Sequence, residues 1–364
     1  MKKLSLLIIV ILTAFSCNSQ KKETDLTKEN LKGKVKSYTE FSYKAIERFG
    51  KIEKGELKKD IYFGNGIQVK YDNKGNKIEE SHYNSDGSLR DKYISKYNNK
   101  GNKIEESFFL NKNGSLTSKY IYKYDNKENQ IETSFYNSDG SLKWKSIYKY
   151  DNKGNKIEES HYNSDGSLSS KFLYKYDNKG NKIEKSVYNS DGSLSSKFLY
   201  KYDNKGNQIE ESHYNSDGSL RDKYISKYDN KGNKIEKSVY NSDGSFNWKW
   251  ICKYDNKGNH IEESKYNSDG SLDFKYISKY DNNGNKIEKS SYNSDSNLRV
   301  KFLYKYDNKG NQIEESHYNS DGSLSSKYIY KYDNFDKKGN WTKQITFKNE
   351  IPNDILERKF EYFE

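Results

Sequence analysis

The stretch Lys70–Ser95, KYDNKGNKIEESHYNSDGSLRDKYIS, decides the fold, because the chain repeats it with small changes almost to its end. The tyrosine of its Lys-Tyr pair occurs eleven times, and nine of the ten intervals between copies are 26 residues. The interval that begins at Tyr97 is 27 residues. A fixed period of this size is typical of an array of equivalent structural units, here ten full repeats.

Each repeat contains two turn signals, DNKG at 72–75 and NSDG at 84–87. Asn and Asp bond to their own backbone, and Gly supplies a positive φ, so both signals predict tight hairpin turns. The segments between them, 77–83 and 89–97, are rich in Tyr, Ile and Ser and alternate with period two, which indicates strands. We therefore expect an all-β fold, a repetitive antiparallel β-hairpin array that forms one elongated or spiralling sheet of about twenty strands.

The length of each turn decides which side chains share a face, because a shift of one residue reverses a strand. An even-numbered loop places Leu89, Tyr93 and Tyr97 beside Ile104 and sets Lys96 opposite Glu105 as an ion pair. An odd-numbered loop would set the tyrosines against Lys, Glu and Ser instead. We expect the even-numbered loop.

The N-terminus carries a targeting signal. Residues 1–3 include two lysines, and an apolar run of twelve residues, Leu4–Phe15, follows them. The apolar run is too short to span a bilayer, and the pattern predicts a secretory signal peptide over residues 1–16. Ala14-Phe15-Ser16-Cys17 resembles a bacterial lipobox, with a small residue before the cysteine. That resemblance implies cleavage before Cys17, a diacylglyceryl group on its sulfur, and outer-membrane sorting because Asn18 follows. The alternative is an ordinary signal peptide with an incidental cysteine.

The rest of the chain divides into four predicted segments. Residues 17–31 are the lipidated cysteine and a polar, flexible tether. Residues 32–69 form an N-terminal cap, 70–330 hold the ten repeats, and 331–364 form a C-terminal cap, because the end units of an array must be atypical. The charged final strand, residues 357–364, is expected to protect the sheet edge from pairing with other chains.

Composition excludes several classes of protein. Hydrophobic residues are 31% of the chain and tyrosine supplies 35 of 364 residues, which is too little aliphatic side chain for a large globular core. The formal charge is +12, but both signs are interspersed and no basic stripe is present, so we expect no nucleic-acid partner. Two cysteines, Cys17 and Cys252, exclude a disulfide framework.

Comparison of the repeats with one another separates constant from variable positions. Ile78, Glu79, Ser81, Lys92 and Lys96 have the same residue type in all ten repeats, which indicates a structural role. The positions of His82 and Asp91 vary, and the second of these holds aromatic residues in three repeats. These aromatic residues are Trp144, Trp248 and Phe274. Trp250 lies two residues from Trp248.

We interpret these four residues as a candidate aromatic surface for a ligand or partner. The alternative is that their rings fill thin places in the sheet. The position of Glu80 alternates in sign along the chain from Glu159 to Glu315, through Lys185, Lys237 and Lys289. Either a charge ladder between neighbouring hairpins or duplication of a 52-residue unit explains this alternation.

Three features resemble metal-binding or catalytic sites, but their geometry or residue types do not fit such sites. Four of the five histidines share one position but would lie about 20–40 Å apart in a straight array, too far for one metal ion. The adjacent glutamates Glu79 and Glu80 point to opposite faces of a strand and do not converge on one substrate. The loop 72–76 (DNKGN) places Lys where a calcium loop requires an oxygen ligand. We expect no catalytic site, metal site or cofactor.

The run YKYDNKGN, as at 148–155, followed by Asp-Gly about ten residues later, resembles the RHS or YD repeat from Lys70 to about Asn340. The resemblance implies β-hairpin ribbons that spiral, and in large toxins and teneurin-like proteins such ribbons close a shell. With so few repeats we expect little to be enclosed. MORN-type hairpin arrays are the second resemblance.

These observations lead to a functional hypothesis. We expect a non-enzymatic lipoprotein of the cell envelope, anchored in the membrane through its N-terminal lipid, whose repeat ribbon is an extended surface for a protein or glycan ligand. One alternative is a carbohydrate-binding protein that uses Tyr and Trp for stacking. Another is a partner or immunity-type protein of an RHS-like secreted toxin system.

Overall fold

The computed structural model of the chain describes residues 24–58, 66–110 and 114–364. It contains one short helix, α1 (Asp25–Lys28), and 25 strands. The predicted signal peptide and the predicted lipidation site, Cys17, lie outside the described residues. None of the helices in the described part is long and apolar enough to cross a membrane.

The strands follow one another at nearly constant length. They are β1 (Val35–Arg48), β2 (Lys51–Leu57), β3 (Gly66–Tyr71), β4 (Lys77–Tyr83), β5 (Leu89–Tyr97), β6 (Lys103–Leu110), β7 (Ser115–Tyr124), β8 (Gln130–Asn137), β9 (Leu142–Tyr150), β10 (Lys156–Asn163), β11 (Leu168–Tyr176), β12 (Lys182–Asn189), β13 (Leu194–Tyr202), β14 (Gln208–Asn215), β15 (Leu220–Tyr228), β16 (Lys234–Asn241), β17 (Phe246–Tyr254), β18 (His260–Tyr266), β19 (Leu272–Tyr280), β20 (Lys286–Tyr292), β21 (Leu298–Tyr306), β22 (Gln312–Tyr318), β23 (Leu324–Phe335), β24 (Trp341–Lys348) and β25 (Ile351–Tyr362).

The turns between strands have the geometry that their residues favour. In the turn at 98–102, the Asn98 amide donates to the Asn102 carbonyl at 2.9 Å and the Gly101 amide donates to the Asn98 carbonyl at 2.9 Å. Gly101 has φ 79°, a left-handed conformation that glycine adopts without a steric penalty. This is a three-residue loop closed by a bulge, and it recurs at both turns of the repeats.

The expected register is confirmed, although the loop itself has an odd length. The pairing shifts by one residue between Lys96 and Tyr97, and this bulge restores the alignment that an even loop would give. Lys96 therefore lies opposite Glu105, with Nζ 2.9 Å from Oε1. Ile104 lies at the shift and does not pair with Tyr93, which lies opposite Phe108 instead.

The expectation of an open or spiralling sheet is wrong, because the sheet closes into a barrel. β1 pairs with β25 from Val35 opposite Tyr362 to Lys44 opposite Asp354. On its other edge β1 pairs with β3 and, further along, with β2, so these two strands lie end to end beside it. Every other strand pairs with its sequence neighbours, which gives 24 ring positions for 25 strands.

The charges on the last strand join the two ends of the sheet rather than protecting a free edge. The Arg358 Nε lies 2.6 Å from the Glu40 carboxylate, and the Ser37 hydroxyl donates to Glu361 at 2.9 Å. Lys58 pairs with Asp354 at 2.8 Å. Closure pairs the backbone groups of both terminal strands, which removes the free edges that invite aggregation.

The start of the described chain lies against this seam. Residues 24–31 belong to the predicted tether, but Leu26 is buried with Val35, Tyr38 and Val69. The Tyr71 hydroxyl donates to the Glu29 carboxylate at 2.5 Å. The described end of the tether is therefore part of the barrel's apolar cluster. A second cluster, around Ile345, Phe347 and Ile355, lies in the C-terminal strands.

Candidate ligand-binding face

The register sorts the positions of each repeat onto two faces of the sheet. One face, the constant face, carries the positions of Glu79, Ser81, Lys92, Ile94 and Lys96, because Glu79 pairs with Ile94 and Ser81 with Lys92. Four of these positions never change across the ten repeats, and the Ile94 position holds only Ile or Leu.

Ion pairs run along the constant face. In every repeat the glutamate lies 2.9–3.0 Å from the lysine of the preceding strand. In several repeats it also reaches the lysine of the following strand, as Glu184 does with Lys175 at 3.0 Å and Lys197 at 3.2 Å. Burial alone would raise the pKa of Glu184, but hydrogen bonds from these two lysines lower it overall.

The serine of the constant face is buried beneath these ion pairs. Ser81 is 1% exposed, and its hydroxyl donates to the Glu79 carboxylate at 3.4 Å. The same bond forms in all ten repeats at 2.9–3.5 Å. A larger side chain would have no room, which explains why this position is constant.

The opposite face, the variable face, carries the positions of Lys77, Glu80, His82, Asp91, Tyr93 and Ser95. Strand positions that change between charged, polar and aromatic residues lie on this face. The bulged position of Arg90 also varies, and its side chains contact the same face. Arg221 approaches His213 at 3.1 Å, and Asp273 pairs with Lys265 at 2.8 Å.

A tyrosine at the edge of the variable face joins neighbouring hairpins. The Tyr97 hydroxyl donates to the Lys77 carbonyl at 3.0 Å, and its equivalents make the same bond in all ten repeats at 2.7–3.3 Å. This bond satisfies a backbone carbonyl of the preceding repeat. It explains why the Lys-Tyr pair that marks the period is invariant.

Histidines on the variable face are held by carboxylates. His82 Nε2 lies 3.1 Å from Glu80, and Nδ1 lies 2.5 Å from Asp91. The hydrogen bond to Glu80 is the main reason that the pKa of His82 is raised. The same bond from His82 lowers the pKa of Glu80 to about 2. All four histidines of this position follow a glutamate two residues earlier, which makes each a local ion pair.

The expected charge ladder between successive members of the Glu80 position is absent from residues 24–58, 66–110 and 114–364. The glutamates pair instead within their own strand, as Glu159 does with Lys156 at 2.7 Å. The lysines lie over aromatic rings of the neighbouring strands. Lys185 is 4.9 Å from the Phe172 ring centroid and 5.3 Å from that of Phe198.

The position of Ser95 differs in size between repeats, and two of its serines line open places on the variable face. Six repeats have tyrosine here, three have serine and one has Cys252. Where tyrosines follow one another, lysines fill the space between them: Lys182 lies 5.3 Å from the Tyr174 ring and 5.8 Å from the Tyr200 ring. Two cavities of the described residues are lined by a serine of this position, and we name them the Ser95 cavity and the Ser278 cavity.

The Ser95 cavity has a volume of about 770 Å³ and lies between the first two repeats and α1. Tyr93, Tyr97 and Tyr124 line it together with charged groups. Those charges are already paired with one another. Lys77 binds Glu29 at 2.6 Å and Glu80 at 2.8 Å.

The Ser278 cavity is smaller, about 180 Å³, and lies beside aromatic residues. Its lining residues are His260, Ile261, Glu262, Glu263, Tyr276, Ser278, Lys286 and Lys289. The Tyr276 ring contacts Phe274 at 5.3 Å between centroids, and Phe274 contacts Trp250 at 5.1 Å. Trp248 lies 6.3 Å from Trp250. We call Trp248, Trp250, Phe274 and Tyr276 the aromatic patch.

The structure brings together three of the four aromatic residues singled out from the sequence. Trp248, Trp250 and Phe274 form one cluster on the variable face, whereas Trp144 lies eight strands away, roughly 40 Å along the sheet. Trp144 has its own partners, Phe135 at 5.6 Å and Tyr120 at 6.0 Å. The four residues therefore belong to two separate aromatic groups of the variable face.

Sequence reasoning missed the cavities and the residues Ser95 and Ser278 that open them. The signal was the change between tyrosine and serine at one position, visible only when that position is compared across repeats. No group of three or more His, Cys, Asp or Glu side chains that could hold a metal ion is present in the described residues. Burial raises the pKa of the Cys252 thiol to about 11, which keeps it protonated and unreactive at neutral pH.

Comparisons with known proteins give limited information. No family model and no curated protein matches the chain. Among solved structures, the chain is similar to a TcdB2–TccC3 complex at 13% identity and TM-score 0.32, with 84% of this chain and 19% of that chain covered. It is also similar to the Tc holotoxin pore of Photorhabdus luminescens at 11% identity and TM-score 0.33, with 80% and 19% covered.

A porin-like protein from Bacteroides uniformis is similar at 9% identity and TM-score 0.25, with 90% of this chain and 98% of that chain covered. The chain spans about a fifth of the length of the toxin chains it matches. All three TM-scores are below 0.5 and carry no argument about fold or function. The repetitive β-hairpin array is established by the strand pairing itself.

Proposed function

We propose that this chain is a non-enzymatic binding protein of the cell envelope, and that its ligand lies on the variable face. One observation carries the proposal: the variation among the ten repeats is concentrated on one face, while the other keeps the same ion pairs throughout. A surface that contacts a ligand would vary in this way, while its reverse side keeps the ion pairs that hold neighbouring strands together.

A carbohydrate is the ligand class that the variable face favours. Aromatic rings stack on the apolar C–H face of a sugar, and neighbouring polar groups bond its hydroxyls. The aromatic patch provides the rings, and the adjoining Ser278 cavity provides Glu263, His260 and two lysines. The protein would then be an RHS-like hairpin barrel held at the outer membrane by a lipid on Cys17.

The proposal is tested with the full chain, purified in a detergent without a sugar headgroup and applied to a glycan array. We expect binding to a defined group of glycans, and loss of that binding in the Trp248→Ala, Trp250→Ala double variant. Trp144→Ala is the matched control, because it removes an equally large ring from the same face about 40 Å away.

Unaltered glycan binding by the double variant would show that the aromatic patch is not the site. Absence of binding to every glycan on the array would overturn the carbohydrate class and leave a protein ligand to be sought. Lipidation is tested by mass spectrometry of the mature N-terminus. A diacylglyceryl mass on Cys17 is expected, and an unmodified thiol would contradict the anchor.

A further inference from the structure

We propose that the Ser278 cavity binds the anionic group, a carboxylate or a sulfate, of an acidic sugar residue. The proposal rests on the carbohydrate-binding function and adds to it the charge class of the ligand. Cations line the cavity, and one histidine nitrogen beside them has no hydrogen-bond partner among the described residues. An equivalent lysine pair elsewhere in the barrel has different neighbours.

Two lysines of the cavity have no carboxylate partner among the described residues. Lys286 lies over the Tyr280 ring at 5.6 Å, and Lys289 lies over the Tyr276 ring at 5.7 Å. Cation–π contacts leave the ammonium hydrogens pointing away from the ring available to an acceptor. Lys289 is exposed, so a ligand can reach it.

Other groups of the cavity favour the same ligand. The Nε2 atom of His260 is buried and has no hydrogen-bond partner in the described part of the chain. A buried polar atom of this kind is stabilised when it gains one. Glu262 is already paired with Lys253 at 3.0 Å. Glu263 is the remaining carboxylate, and it suits a sugar hydroxyl, which donates a hydrogen bond to it.

The charge sum supports an anion. The charges of Glu262 and Lys253 cancel, which leaves the two positive charges of Lys286 and Lys289 against the one negative charge of Glu263. By contrast, in the Ser95 cavity lysines at the corresponding positions are paired with glutamate, as Lys103 is with Glu106 at 2.7 Å. The two cavities therefore differ in the charge that they offer to a ligand.

The same lysine pair elsewhere is flanked by aromatic rings. Lys182 and Lys185 occupy the equivalent positions, but tyrosines Tyr174 and Tyr200 flank Lys182, and phenylalanines flank Lys185. At Lys286 and Lys289 the preceding strand has Ser278 where the other pair has Tyr174. The smaller Ser278 side chain, which lines the cavity, leaves space beside Lys289 for an anionic group.

The chain itself supplies substitutions that fit the fold. Lys289→Glu introduces the residue that six repeats have at this position, and it allows an ion pair with Lys286 like the one between Lys156 and Glu159. Both free cations of the cavity are thereby neutralised. Ser278→Tyr introduces the residue that six repeats have at its position, which fills the cavity. Lys185→Glu is the control, because it makes the same charge change at a lysine that lies between the Phe172 and Phe198 rings.

The experiment measures binding of the full chain in detergent to polygalacturonate, dextran sulfate and neutral dextran. We expect binding to at least one anionic polymer and none to dextran. Lys289→Glu and Ser278→Tyr should each weaken binding about tenfold or more, the loss expected for charge-assisted hydrogen bonds. Lys185→Glu should change it by less than about twofold. The two anionic arms identify whether the carboxylate or the sulfate is recognised.

Equal losses in Lys289→Glu and Lys185→Glu would reveal non-specific attraction to a basic protein and overturn the proposal. Binding to dextran that needs Trp248 and Trp250 but not Lys289 would overturn the anionic site while leaving the carbohydrate-binding function intact. Binding to none of the polymers, together with no glycan on the array, would contradict both.

Discussion

The two faces of the same strands follow opposite rules. Adjacent residues such as Glu210 and Glu211 differ by one position, yet the first is glutamate in every repeat while the second becomes lysine or threonine elsewhere. Glu210 lies between Lys201 at 2.9 Å and Lys223 at 3.0 Å, so its charge is needed by two strands. Glu211 bonds His213 in its own strand at 2.9 Å. A position whose partners lie on neighbouring strands is fixed by them, whereas one with partners in its own strand can change together with them.

The largest difference between the two faces is expected when the same large residue is placed on each of them in turn. Ser81→Tyr puts a ring where the native side chain is 1% exposed, and we expect a loss of unfolding free energy of about 3 kcal/mol or more from overpacking. Ser95→Tyr puts the ring into a cavity, where tyrosine is native in six repeats, and we expect a change of about 0.5 kcal/mol or less. Denaturant unfolding measures both. Equal losses would show that the two faces do not differ in packing.

A charge reversal on each face should have a smaller effect on stability. Glu210→Lys brings three lysines together on the constant face, and we expect a loss of about 1–2 kcal/mol, limited by the exposure of Lys201. The matched variant Glu211→Lys, His213→Val gives strand β14 the residues of β12 at two variable-face positions, and should cost less than about 0.5 kcal/mol. Unfolding in urea, with salt added to screen the repulsion, checks both. A larger loss in the second variant would contradict the assignment of the faces.

The histidine pairs predict the smallest effect, a dependence on pH. The pKa of folded His82 is raised by Glu80 and Asp91, so its charged form stabilises the barrel below the unfolded pKa of about 6.5. That contribution, about 1 kcal/mol, is lost as pH rises through the raised pKa of the folded state. The variant Glu80→Lys, His82→Val carries a combination native to two repeats and lacks the titrating group. Its stability relative to wild type should improve between pH 5.5 and 8.5, and a constant difference would rule out this linkage.

Much of the local structure was predictable from single residues. Gly101 and its equivalents fixed the turns, and the pairing of Lys96 with Glu105 identified the register, because both depend on contacts within one or two hairpins. Closure was not predictable in this way. A hairpin repeat has the same local contacts in an open and a closed sheet, and the bonds that close it, such as Glu40 with Arg358, join residues 318 apart in the sequence.

The candidate site was predictable only where the residue types at one position identify it. Trp248 and Phe274 stood out because the Asp91 position holds an aromatic residue in three repeats only, and Trp250 because it lies two residues from Trp248. Their clustering follows from the strand order. The cavities depend on what is missing from a position, and Ser278 resembles any other serine until its neighbours are known. Trp144 was grouped with the others by residue type, whereas distance along the sheet separates it.

The most direct test of the binding role of the variable face exploits two hairpins that share one strand sequence. Strands β12 and β16 both read KIEKSVYN, but their partners β13 and β17 differ on the variable face. The triple variant Trp248→Ser, Trp250→Phe, Cys252→Tyr gives β17 the residues Ser196, Phe198 and Tyr200 of β13. Ligand binding and unfolding of this variant are measured side by side on the full chain. We expect that binding to the array glycans is lost while the unfolding free energy stays within about 1 kcal/mol of wild type. Retained binding, or a barrel that no longer folds, would contradict it.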